Sequence, residues 1–145
     1  MSSKSTIEVL NRLLVLHTRS LPMYLSCAQP SWIRGDEAAQ ETLQSIVEDQ
    51  RALAERIGEM LLEIGPVNEG AFPTVYTAYH DLSFDFLLDR MIESQRRDIA
   101  AIERCIAQLT LVPMAKAIAE EALGAAKAHL EALQELKQLP ASVVH

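Results

Sequence analysis

The clustering of helix breakers is the strongest constraint on how this chain can fold. Most Gly and Pro residues fall at Pro30 and Gly35, within 65–73, and at Pro113 and Pro140. Because both residue types interrupt helices, they divide the sequence into four long segments. The predicted helices cover about 6–28, 36–64, 82–109 and 113–138.

Each segment repeats apolar residues at steps of three and four, which is the period of an amphipathic helix. Such steps average about 3.5 residues, as in helices that pack at a shallow angle. Pro22 lies inside the first segment, where the hydrogen bond that it removes predicts a kink near Thr18. The sequence therefore predicts an all-α four-helix bundle, in a single domain over 1–145.

The connections between the predicted helices have unequal lengths, and this bears on topology. The second, from Gly65 to His80, reaches about 53 Å when extended. The helix before it is about 43 Å long at 1.5 Å per residue. A connection of this length can run the full height of the bundle. We therefore expect an up-down-down-up order, with a long crossover between the second and third helices.

This topology brings four polar residues to nearly the same height in the bundle. His17 and His129 lie roughly 15 Å from one end, and Gln50 and Gln95 lie roughly 21 Å from it. All four lie on the apolar seams of their helices. The sequence therefore predicts a polar layer across the centre of the bundle.

Helix number, helix length and loop order resemble those of the ferritin-like superfamily, whose bundles have one long crossover. The stretches 46–50 (IVEDQ) and 125–129 (AAKAH) resemble worn forms of the family's glutamate-x-x-histidine motifs. The resemblance implies a central diiron site whose six ligands come from all four helices. In chain order, those positions fall on His17, Gln50, Leu53, Gln95, Ala126 and His129. Only His129 keeps the family residue, so the resemblance implies the fold without the diiron carboxylates.

Two interpretations of the polar layer remain open. In the first, the four side chains hydrogen-bond to one another and no cofactor is expected. In the second, His17 and His129 hold a small ligand or one ion of iron, manganese or zinc, with a redox role. Glu48, Glu93 or Glu131 would then complete the ligand shell, although their positions beside the seams predict that they face solvent.

Other candidate groups have ordinary structural explanations. His80 and Asp81 resemble a base with its orienting acid, but Asp81 is also in place to cap the third helix. The run 96–98 (Arg-Arg-Asp) is predicted to be a solvated face. Cys27 and Cys105 are expected at opposite ends of the bundle as free thiols, which is typical of a reducing compartment.

Aromatic and sulfur-containing side chains are predicted to serve packing. The connections contain four aromatic residues, Trp32, Phe72, Tyr76 and Tyr79. We expect them to pack locally and hold the connections against the bundle, and a homodimer face is the alternative. The methionines predicted to fill gaps in the core are Met23, Met60, Met91 and Met114.

The net charge of the chain limits the kinds of partner that it is expected to bind. A net charge of −7 argues against binding to nucleic acid or to an anionic membrane surface. We expect a cytoplasmic, non-enzymatic structural or partner-binding protein. The alternatives are a metal- or small-ligand-binding protein and a carrier of a hydrophobic ligand beside Ala122, Ala125 and Ala126.

Overall fold

The computed structural model describes residues 3–28, 37–67, 70–74, 76 and 84–138. Within these ranges the chain forms helices and no strand, which confirms the all-α prediction for this part. No helix there has both the length and the apolar character needed to cross a membrane. The helices are α1 (Ser3–Thr18), α2 (Leu21–Ala28), α3 (Glu37–Ile64), α4 (Phe84–Gln108) and α5 (Pro113–Gln138).

The first predicted helix is two helices, and the prediction of one continuous element over 6–28 was wrong. The chain breaks at Arg19 and Ser20, close to the predicted kink. Pro22 has no N–H to continue α1, but it is tolerated in the first turn of α2. The Ser20 hydroxyl caps α2 by accepting a hydrogen bond of 3.2 Å from the Met23 N–H.

The other three predicted helices agree with α3, α4 and α5 to within two residues at each end. Pro113 opens α5, where its missing N–H leaves no helical hydrogen bond unmade. The turn before it is tight, because the Val112 N–H bonds to the Leu109 carbonyl at 3.0 Å. Pro30, Gly35 and Pro140 lie outside the described residues.

Neighbouring helices pack side by side in opposite directions. Both α1 and α5 contact α3 and α4, while α2 contacts the same pair further along. Along α1 and α3, Asn11 bonds to Pro66 whereas Ser20 bonds to Gln50. Helix α3 runs antiparallel to α5, as shown by the contacts Arg56–Glu121 and Asp49–His129. Helix α4 also runs antiparallel to α5, as shown by the contacts Gln95–Ala126 and Asp89–Lys137. Since α3 and α4 both run against α5, they are parallel to each other.

The residues that follow α3 run along α1 and then along α2, in the same direction as these two helices. Their contacts in chain order are Gly65 with Ile7, Pro66 with Asn11, Gly70 with Val15, and Phe72 with Tyr24. Gly70 has a φ of 66°, and a Cβ there would stand 2.9 Å from Cγ2 of Val15. Both facts require glycine at this position. The rest of the predicted crossover, including 77–83, lies outside the described residues.

Two aromatic residues of this segment pack against α2. The rings of Phe72 and Tyr76 lie 5.3 and 5.5 Å from the ring of Tyr24, and the Arg19 guanidinium lies over Phe72. Local packing is therefore confirmed for Phe72 and Tyr76, while Trp32 and Tyr79 lie outside the described residues. The prediction of a core methionine was wrong for Met114, which is 77% exposed, because the next residue, Ala115, takes the buried position in the first turn of α5.

The apolar core consists of two clusters stacked along the bundle. One joins α1 to the second half of α3 and the first half of α5, with Leu13, Ile57 and Ala119 fully buried. The other joins α2 to the first halves of α3 and α4 and to Leu133 of α5, with Leu25, Ile46 and Leu88 buried. The residues between the two clusters are polar.

Candidate functional site

The predicted layer residues occupy the boundary between the two apolar clusters. His17, Gln50, Gln95 and His129 are only 2–6% exposed. They line one small internal cavity together with Asp98. The polar residues of the four apolar seams thus lie together, and each needs a hydrogen-bond partner other than bulk water.

His17 is held by its own helix. Its Nδ1 lies 2.8 Å from the Leu13 carbonyl oxygen, which can only accept, so this nitrogen carries the proton. Burial lowers the pKa of His17 from 6.5 despite this hydrogen bond, and nearby His129 lowers it further. The ring is therefore neutral at pH 7, and Nε2 has a free lone pair.

Gln50 is held from the break between α1 and α2. The Ser20 hydroxyl donates a hydrogen bond of 2.7 Å to Oε1 of Gln50, while it also caps α2. Because one hydroxyl serves both roles, the position of the helix break and the orientation of the Gln50 amide are linked.

Gln95 is held by a backbone group of the neighbouring helix. Its Nε2 donates a hydrogen bond of 3.0 Å to the Ala126 carbonyl in α5. Ala119, Ala122 and Ala126 are buried on this side of α5. Their small side chains let α4 approach closely enough for the amide to reach the main chain.

His129 is held from α3. Its Nε2 lies 2.8 Å from Oδ2 of Asp49, so this nitrogen carries a hydrogen and its N–H donates a hydrogen bond to the carboxylate. The two residues differ in environment, because the side-chain atoms of His129 are 7% exposed and those of Asp49 are 56% exposed. The pair therefore connects the buried layer to the surface of the bundle.

Asp98 was wrongly predicted to belong to a solvated face. Arg96 and Arg97 are exposed, but Asp98 is half-buried and lines the cavity. Burial raises the pKa of its carboxyl group to about 7, against the opposing attraction of Arg97. Near neutral pH this acid therefore exists in both protonation states.

The cavity between these side chains is very small. The volume open to the centre of a water molecule is about 10 Å³, which is the space of about one water. Four polar atoms of the layer have no hydrogen-bond partner within the described part of the chain: His17 Nε2, Gln50 Nε2, Gln95 Oε1 and His129 Nδ1. The predicted mutual bonding is not seen, because each side chain bonds to a group outside the set.

A diiron centre does not fit this donor set. Gln50 and Gln95 are neutral amides that hydrogen-bond to Ser20 and to the Ala126 carbonyl. At the other two ligand positions, Leu53 and Ala126 have side chains that cannot bind a metal. In the described ranges, no three His, Cys, Asp or Glu side chains are grouped as a metal site requires. The cavity is also far below the volume of a small-molecule site, and it leaves no space for a hydrophobic ligand beside Ala122, Ala125 and Ala126.

The remaining predicted candidates lie elsewhere. Glu48, Glu93 and Glu131 are exposed, as predicted. Cys105 is a free, buried thiol whose pKa is raised by burial. His80, Asp81 and the side chain of Cys27 lie outside the described residues.

Three residues that complete the layer were missed by sequence reasoning. Asp98 follows Gln95 by three residues, so the helical period already put it near the layer. Asp49 precedes Gln50 and carries no signal of its own, because its bond to α5 depends on helix packing. Ser20 precedes Pro22 by two residues, which marks a cap but not the bond to Gln50.

The chain matches no protein-family model, no curated protein and no solved structure. A ferritin-like assignment is therefore a proposal that rests on the geometry above.

Proposed function

We propose that this chain is a ferritin-like four-helix bundle without diiron chemistry, which acts as a non-enzymatic structural or partner-binding module. The observation that carries the proposal is the central layer. Its side chains are each held by a hydrogen bond to another group of the bundle, around a cavity of about 10 Å³. This arrangement favours a structural role for the layer, since buried polar groups with specific partners fix the register of packed helices.

Helix directions support the ferritin-like part of the proposal. The parallel pair α3 and α4 requires a connection that runs the height of the bundle. The residues after α3 take that direction, from Ile7 in α1 to Tyr24 in α2. Both α1 and α5 run opposite to this pair. These directions and the path of the residues after α3 favour the up-down-down-up order.

A ferroxidase assay tests the non-enzymatic part of the proposal. Ferrous iron is added under air, and ferric products are followed by absorbance, with protein-free buffer as the reference. We expect no rate above buffer, because the layer lacks the carboxylates that hold two cations. A faster rate that disappears in a His17→Ala/His129→Ala variant would contradict the proposal.

A second candidate function is the binding of one metal ion, and Asp98 is the observation that favours it. His17, His129 and Asp98 line the same cavity, and two histidines with one carboxylate form a known ligand set for ferrous iron. A metal would have to draw the three side chains together, since they are not grouped as ligands now. Cobalt(II) titration followed by visible absorbance tests this function, and Asp98→Asn should abolish the absorbance change if it is correct.

The cytoplasmic location, the absence of nucleic-acid and membrane partners and the homodimer alternative stay predictions from the sequence. The negative charge of the chain supports the prediction that it binds neither nucleic acid nor an anionic membrane surface.

A further inference from the structure

A groove lies between α3 and α5 at the end of the bundle away from α2. Its volume is about 590 Å³, which is within the range of protein binding pockets. Leu10 of α1 forms part of its floor, and Met60 and Ile118 form part of its walls. Along α3 the groove extends from Arg56 to Ile64, about 12 Å at 1.5 Å per residue. This is the length of about two helical turns.

Large apolar side chains are exposed at the open end of the groove. Met114 is 77% exposed and Ile64 is 43% exposed. Exposed apolar residues gathered at a groove with charged edges are typical of interaction sites. A flexible methionine side chain can also adapt to the surface of a partner.

The edge of the groove is acidic. Arg56 is paired with Glu121 across the two helices at 2.6 Å, and this ion pair lowers the pKa of Glu121. Glu59 and Glu63, one helical turn apart, have no ion pair within the described part of the chain. The uncompensated charge of the groove is therefore negative and lies on the α3 side.

We propose that this groove binds an amphipathic helix of another protein, whose apolar face enters the groove and whose Lys or Arg residues, one turn apart, face Glu59 and Glu63. Apolar side chains at positions i, i+4 and i+7 of such a helix follow a two-turn groove. The inference rests on the proposed partner-binding role and specifies its surface and partner.

The sequence argues against a second copy of this chain as the occupant. No two of its 13 Lys and Arg residues are three or four positions apart. A helix of this chain therefore cannot present two basic side chains one turn apart to Glu59 and Glu63. The matching partner is a basic helix from elsewhere.

The probe for the test is a labelled helical peptide of about 14 residues, with Leu at i, i+4 and i+7 and Lys pairs one turn apart. A second peptide carries Glu in place of Lys. Fluorescence anisotropy measures the affinity of each peptide for the purified full chain. We expect only the Lys peptide to bind.

Four protein variants locate the binding surface. Glu59→Gln/Glu63→Gln and Met114→Ser should each weaken binding of the Lys peptide about tenfold. Glu131→Gln/Glu135→Gln removes the same charge at the same spacing elsewhere, and Leu111→Ser removes an apolar side chain that is 69% exposed outside the groove. Both controls should change affinity by less than about twofold. Circular dichroism melts verify that all variants fold.

Three outcomes overturn the inference: no binding of the Lys peptide, equal losses in the Glu131/Glu135 control, or a dimer that Met114→Ser dissociates in sedimentation. The last would make a second copy the occupant. Failure of the inference is distinct from failure of the proposed function, because the ferroxidase assay reports on the central layer and not on the groove.

Discussion

The Ser20 hydroxyl is 2.7 Å from Oε1 of Gln50, and this hydrogen bond joins the break between α1 and α2 to the centre of α3. The same oxygen accepts the Met23 N–H at the start of α2. One small side chain therefore fixes both where the helix restarts and which way a buried amide points.

Ser20→Ala should lower the free energy of unfolding by about 2 kcal/mol, because it removes a helix cap and leaves a buried acceptor unpaired. Adding Gln50→Leu should recover part of this loss, since the double variant has no unpaired acceptor. Urea denaturation of the four proteins in this cycle gives the coupling, which we expect to exceed about 0.5 kcal/mol.

Thr18→Ala is the matched control for that cycle. Among the described residues, the Thr18 hydroxyl bonds only to the Leu14 carbonyl of its own helix, and such bonds add little to helix stability. Additive effects of Ser20→Ala and Gln50→Leu would contradict the proposed link between the helix break and the layer.

Asp98 gives the protein a specific dependence on pH. The pKa of its carboxyl is raised from 3.8 to about 7 by burial. Between these values the folded chain holds a proton that the unfolded chain has released, so stability falls as pH rises through this window. His17 acts in the opposite direction: its pKa is lowered from 6.5, so its contribution is lost as pH falls below 6.5.

Asp98→Asn should therefore stabilise the protein at pH 8, by at most about 4 kcal/mol, and have little effect at pH 4. Urea denaturation of wild type and variant at both pH values measures the difference. Glu103→Gln, at an exposed position of the same helix, is the control and should change stability equally at both. A gain for Asp98→Asn that is independent of pH would contradict the buried-acid explanation.

The close approach of α4 and α5 depends on alanine at 126. Ala126→Leu places a larger side chain where Gln95 reaches the backbone, so we expect a loss of about 1–3 kcal/mol. Ala128→Leu makes the same change at an exposed position two residues away and should be nearly neutral. Thermal melts of both variants test this, and equal melting temperatures would contradict it.

Gly70 and Gly124 should respond to alanine with opposite signs. Gly70 has a φ of 66° and touches Val15, so Gly70→Ala should cost about 1–2 kcal/mol. Gly124 lies in α5 with nothing within 4 Å of its Cβ position, so Gly124→Ala should stabilise by about 0.5–1 kcal/mol. Urea denaturation measures both, and a neutral Gly70→Ala would mean that the segment after α3 is not held along α1.

The helices could be predicted because their apolar period and their breakers are local signals. Gln50 and Gln95 were found for the same reason, as polar residues on apolar seams. The partners were not found, because Ser20, Asp49 and the Ala126 carbonyl reach the layer only through packing between helices. Asp98 was missed because two exposed arginines precede it, although its position three residues after Gln95 indicated the inner face.

Metal content is the most direct test of the central claim that the layer has a structural role without metal. The chain is purified without chelators or affinity metal, offered iron, manganese and zinc, desalted, and analysed by elemental mass spectrometry. We predict far less than stoichiometric metal, at a level equal in wild type, His17→Ala/His129→Ala and the exposed control Glu48→Gln/Glu131→Gln. Near-stoichiometric metal that only the His17/His129 variant loses would contradict the account and favour the metal-binding function.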